Sequence, residues 1–97
     1  MSVYMLAAIN VRDAMGYAPY VEGAIASLGK YGVEVLAASD APRTHEGHNP
    51  WSRYVLLKFP DQAAFEAWYE SPEYKAVKPI RHATAETGFI ISFDGLG

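Results

Sequence analysis

The chain has 97 residues, 51% hydrophobic, 20% charged and 13% aromatic, with a formal net charge of −3, which fits one globular domain. The acidic balance and the lack of any basic run argue against nucleic acid as a partner. The absence of cysteine excludes disulfides, thiol nucleophiles and Cys-ligated zinc, and fits a cytoplasmic protein.

Val3 to Val11 is the first expected strand. Val3, Met5, Ala7, Ile9 and Val11 alternate with Tyr4, Leu6 and Ala8, so both faces are apolar, the pattern of a strand covered on both sides. Its apolar run has no basic lead or small-residue cleavage site and is far too short to span a bilayer, so neither a signal peptide nor a membrane helix is expected. Asn10 interrupts the pattern, either to line a cavity or to bond a neighbouring strand.

Asp13 opens a helical pattern in which Tyr17, Tyr20, Val21, Ala24, Leu28 and Tyr31 share one face. Pro19 lies six positions past that cap, where it removes a backbone bond. The helix is therefore expected to begin near Ala18 or to carry kinked first turns. Gly16, Gly23 and Gly29 each cost about 1 kcal/mol against alanine in a helix, so packing must hold it. Gly32 suits the left-handed residue that ends it.

Val33 to Ala38 is the second strand. Asp40 to Ser52 is a loop rich in turn residues and longer than a hairpin needs. Arg53 to Phe59 is the third strand, with Arg53 and Lys58 marking a polar pocket if they face inward. Asp61 caps a second helix carrying Phe65, Trp68 and Tyr69 toward the sheet. Ser71 and Pro72 restart the chain as a short helix from about Pro72 to Ala76 or beyond, with Pro79 a candidate for a second interruption. Glu86 to Phe93 is the last strand.

The order βαββαβ predicts an α+β, ferredoxin-like domain with a four-stranded antiparallel sheet. Two helices cover one face of such a sheet. Because the strands are apolar on both faces, a second copy is expected over the other, making a homodimer.

The quoted residues resemble a known family. Asp13, Tyr17, Tyr20, Glu46-Gly47, Arg53 and Phe59-Pro60 lead to the run W-Y-x-S-P-E-Y-x-A-x-K-P-x-R at Trp68 to Arg81. Together they are similar to domain of unknown function 1330. The resemblance implies a dimeric α/β barrel, a superfamily that hosts cofactor-free monooxygenases, lactone isomerases, dehydratases, haem enzymes and stress proteins. It implies no particular reaction, because fold does not fix function.

The site residues are then weighed by chemistry. Arg81 is either an anion clamp, with Tyr74 beside it as a hydrogen-bond donor, or a tie from the helix end to a carboxylate or to backbone carbonyls. Tyr17, Tyr20, Trp68 and Tyr74 are either core or the wall of a pocket for a small, partly aromatic ligand. His45, Glu46 and His48 form H-E-x-H on a loop. This lacks the helical spacing of a metalloprotease, so no metal site is assigned, and His45 or His48 is the candidate general base. No phosphate loop, nucleophile elbow or carboxylate pair is present, and no cofactor is expected. The reading is a homodimer with a small-molecule pocket, acting as a cofactor-independent monooxygenase or isomerase or only binding. Its rivals are a non-enzymatic accessory or stress-response dimer and, more weakly, a metal- or haem-binding protein.

Overall fold

The computed structural model describes residues 1–97. The elements are β1 (Val3–Val11), α1 (Ala14–Ser27), a 3-10 turn (Leu28–Lys30), β2 (Glu34–Ser39), β3 (Arg53–Phe59), α2 (Gln62–Tyr69), α3 (Pro72–Thr84) and β4 (Ala85–Asp94). The four strands form one sheet in the order β2-β3-β1-β4, with every neighbouring pair antiparallel. This is the expected ferredoxin-like arrangement, with the two strands that flank α1 set at non-adjacent positions.

Each helix begins where its cap supplies an acceptor for an otherwise orphaned amide. Asp13 accepts from Gly16 N at 3.1 Å, Asp61 from Ala64 N at 2.8 Å and Ser71 from Tyr74 N at 3.2 Å. Of the two forms expected of α1, the late start near Ala18 is not adopted: the helix starts at Ala14 and runs through Pro19. α3 takes the longer of the expected lengths, running beyond Ala76 and through Pro79 to Thr84. In each case the proline forfeits one backbone bond, and burial on both sides of it holds the helix together. Tyr17 and Tyr20 flank Pro19, while Tyr74, Arg81 and Thr84 flank Pro79, and all five are buried.

The two helices lie close. A Cβ added at Gly23 would stand 2.3 Å from Val77 Cγ1, so the glycine that weakens α1 as an isolated helix lets it approach α3. Gly32 adopts φ +66° after the 3-10 turn, the left-handed conformation that glycine takes at no steric cost.

The helices cover one face of the sheet, above Met5, Ala7, Ile9, Leu57, Phe59 and Ala85 of the core. The opposite face is apolar too. Tyr4 stands opposite Phe93, Leu6 opposite both Leu56 and Ile91, and Ala8 between Tyr54 and Phe89. Ile91 and Phe93 are left 45% and 46% exposed there. Edge strand β2 is exposed along its whole length.

The end of the long loop returns across the sheet. Asn10 Nδ2 donates to Pro50 O at 3.1 Å, and Asn10 Oδ1 accepts from Ser52 N at 2.8 Å. Trp51 lies against Gly88, where a Cβ would meet its ring at 2.2 Å. Gly88 is the extra residue of a β-bulge in β4. Asn10 therefore braces a loop and does not line a cavity.

Candidate functional site

α1 projects Tyr17, Tyr20, Val21 and Ala24 inward because they share its buried stripe. α2 brings Trp68 and α3 brings Tyr74 over the same part of the sheet. Between them lies a cavity of about 100 Å³. All of its lining residues are hydrophobic or aromatic except Arg53. Its mouth opens toward the bare β2 edge, where Ile25 and Val35 are 60% and 54% exposed.

The aromatic wall is bonded as well as packed. The Tyr20 and Tyr74 hydroxyls share a 2.7 Å hydrogen bond, and the Trp68 indole donates to Ser27 Oγ at 2.8 Å. Ser27 in turn donates to Ala24 O at 2.6 Å. The Trp68 and Tyr74 ring centroids are 4.2 Å apart, and those of Tyr17 and Tyr20 5.2 Å apart. Burial, reinforced by the neighbouring Tyr74, holds the Tyr20 hydroxyl well above the usual tyrosine range. Tyr17 is raised in the same direction by burial, with Arg53 opposing the shift. Both are therefore hydrogen-bonding phenols at neutral pH.

Arg53 is the one charged group in this wall. Its parity on β3 places it inward with Val55 and Leu57, while Lys58 falls on the other face with Tyr54. The Arg53 guanidinium lies 5.9 Å from the Tyr17 ring centroid, and Nη1 donates to Asp40 Oδ1 at 2.9 Å. Its Nε is buried with no partner.

Arg81 stands elsewhere. It is 1% exposed, beneath α3, and lines a separate crevice on the β4 side. Nη1 donates to Thr87 Oγ1, the guanidinium lies 5.8 Å from the Tyr20 ring centroid, and Nε has no partner. It forms neither of the helix-end ties considered above, to a carboxylate or to backbone carbonyl oxygens. Of the five residues assigned to one binding pocket, Tyr17, Tyr20, Trp68 and Tyr74 line the cavity and Arg81 touches it only through Tyr20. His45 and His48 lie on the exposed part of the loop, and neither lines the cavity. No three His, Cys, Asp or Glu side chains gather as a metal-ligand set.

The family model described as Domain of unknown function (DUF1330) matches residues 2–94. The chain belongs to the DUF1330 family. Among solved structures, this DUF1330 chain is similar to a protein of unknown function from Rhodopseudomonas palustris, RPA0582. Identity is 20% over 99% of this chain and 83% of that one, with a TM-score of 0.83. It is also similar to SnoaB, a cofactor-independent oxygenase from Streptomyces nogalater, at 13% identity over 99% and 94%, TM-score 0.67. A third likeness is to a dimeric ferredoxin-like protein of unknown function from Jannaschia sp. CCS1, at 14% identity over 98% and 100%, TM-score 0.72. These likenesses concern the fold. No curated protein matches the chain.

Sequence reasoning left Arg53 undecided. Both alternating sets of β3 are apolar, Val55, Leu57 and Phe59 against Tyr54 and Leu56, so parity alone does not reveal which set faces the helices. The signal that resolves it is register: Arg53 pairs with Ile9 and Val55 with Ala7, both on the helix-covered set of β1.

Proposed function

We propose that this DUF1330 protein is a homodimer that binds one small organic molecule per protomer in the cavity beneath α1. The observation that carries the reading is the cavity itself: apolar and aromatic throughout, with one arginine at its edge. An apolar cavity of about 150 Å³ accommodates benzene. One of about 100 Å³ with an open mouth suits a single ring or short branched chain whose other end leaves between Ile25 and Val35. Arg53 supplies a charge-assisted donor for an anionic oxygen at the ring's edge, and its unpartnered Nε is free for that purpose. The second copy covers the Tyr4, Leu56, Ile91 and Phe93 face, which otherwise leaves a large apolar patch in water.

The lining contains no His, Asp, Glu or Lys. The cavity is thus equipped to hold an acidic ligand as its anion, and a proton acceptor for catalysis has to come from outside it. Cofactor-independent chemistry of the kind named for SnoaB is the catalytic form of this proposal, with His45 and His48 as the candidate acceptors.

Native mass spectrometry and calorimetric titration with benzoate and benzyl alcohol test the reading. The expected result is a dimer that binds benzoate more tightly than the alcohol. Arg53→Met should weaken benzoate by about tenfold, the loss of one charge-assisted bond, and leave the alcohol unchanged. Ala24→Leu, which fills the cavity, should abolish both. A monomer refutes the assembly. Binding that survives Ala24→Leu refutes the cavity, and a dimer that takes up neither probe favours the accessory role.

A further inference from the structure

Arg81 raises a separate question. A charged side chain withdrawn from water loses its hydration, and a protein interior normally compensates it with a carboxylate or a full set of acceptors. Arg81 is 1% exposed and has neither. The chain's three ion pairs are Lys30–Glu73, Arg53–Asp40 and Lys75–Glu70. The one hydrogen bond Arg81 makes goes to the neutral hydroxyl of Thr87, and Nε is buried without an acceptor. The Tyr20 ring offers a weak cation–π contact on one side. Tyr20 does not supply a counter-charge, because burial keeps its hydroxyl protonated.

The surroundings add positive charge. Arg81 lines a crevice of about 460 Å³ between α3 and β4, together with Arg12, Tyr69, His82, Glu86 and Thr87. Arg12 is fixed at its rim by a 3.2 Å bond from Nη2 to Ala85 O. Lys78 lies nearby over the Tyr69 ring, 4.1 Å from its centroid. His82 is pulled below its ordinary range by partial desolvation and then by the positive charges of Arg81 and Lys78. Glu86 is the single carboxylate in the lining, and it forms no ion pair with either arginine.

We infer that this crevice is a second binding site, for a small oxyanion of the carboxylate or phosphate class, with Arg81 as its cation. The anion takes the unpartnered Nε edge of Arg81, Arg12 closes on it from the rim, and Thr87 keeps the fork oriented. Ile90 lines both this crevice and the cavity beneath α1, and the Tyr20 ring, a wall of that cavity, lies 5.8 Å from the Arg81 guanidinium. The inference stands without the cavity proposal, since it uses a different set of polar groups.

Inorganic phosphate and acetate are titrated into the intact protein, following the Arg81 Nε–H and His82 ring signals by nuclear magnetic resonance. Both signals should shift at saturating anion, and the pKa of His82 should rise as the bound negative charge offsets Arg81. Arg12→Gln, at an exposed position, should weaken phosphate by about tenfold with the fold intact. Arg81→Gln should abolish it; should that variant unfold, Arg12→Gln alone decides. Ala24→Leu should leave anion binding unchanged, which separates this site from the cavity. A response to phosphate alone assigns the site to phosphorylated ligands, and a response to both includes carboxylates. Unmoved Arg81 and His82 signals overturn the inference, as does phosphate affinity equal in Arg12→Gln and the unaltered protein.

Discussion

The Tyr20–Tyr74 hydroxyl pair allows a prediction of sign as well as size. The two oxygens are 2.7 Å apart, and the side chains are 9% and 0% exposed. Tyr20→Phe deletes one hydroxyl and strands that of Tyr74, which is fully buried and has no other partner. An orphaned buried hydroxyl costs about 1–3 kcal/mol, and Tyr20→Phe belongs in the upper part of that range. Tyr74→Phe strands the Tyr20 hydroxyl instead; both rings line the cavity, but Tyr20 is the more exposed of the two and the better placed to gain a water as replacement partner. Its cost belongs near about 1 kcal/mol. The double variant has no orphan at all, and replacing both partners by apolar groups of the same shape is close to neutral. Its loss should fall within about 1 kcal/mol and below the sum of the singles. Urea unfolding of the four proteins at one fixed concentration measures the cycle, with the fluorescence of Trp51 and Trp68 as the reporter. Additive losses, or a Tyr20→Phe protein as stable as the parent, would refute the reasoning.

Gly23→Ala gains about 1 kcal/mol of helix propensity but places its methyl 2.3 Å from Val77 Cγ1, a clash that costs about 1–3 kcal/mol. Thermal unfolding should show a net loss in the parent and a gain when Val77→Ala has made room; a stabilised single variant contradicts the close packing of α1 and α3. Tyr17 and Tyr20 have folded pKa values raised above the unfolded value. Their contribution is thus fully present below about pH 10 and lost as pH rises above it. Stability measured upward from neutral pH should therefore hold to about pH 10 and then fall, with the two phenols the last to ionise; early ionisation of both in the folded protein would contradict their burial.

How far the sequence could be read depended on whether a feature is local. Asp13, Asp61 and Ser71 cap helices because a short polar side chain finds an amide three residues on, and that geometry needs no tertiary information. The two-sided apolar pattern of β1 likewise pointed to an uncovered face. The effect of the prolines stayed open because local propensity weighs a lost backbone bond but not the burial of Tyr17, Tyr20, Tyr74 and Arg81 around it. With α3 continued through Pro79, helical period puts Tyr74 and Arg81 on one face, and both are buried. Period says nothing about what lies beneath each turn: Tyr74 meets Tyr20 and Trp68, while Arg81, two turns later, lies above Thr87 of β4. One helical face therefore serves two different clefts.

That division follows from how the helices share the sheet. Gly23 draws α1 against Val77 of α3, so the two helices lie together and leave β2, the edge strand beyond β3, uncovered from end to end. The glycine that costs α1 its intrinsic stability is thus what admits Val77 of α3. Arg81 is buried beneath α3 with one hydroxyl, that of Thr87, for company. The two features proposed to bind ligands, an open apolar cavity and a buried unpaired cation, thus both lie beside a single helix–helix contact. A variant that loosens that contact should therefore disturb both sites at once.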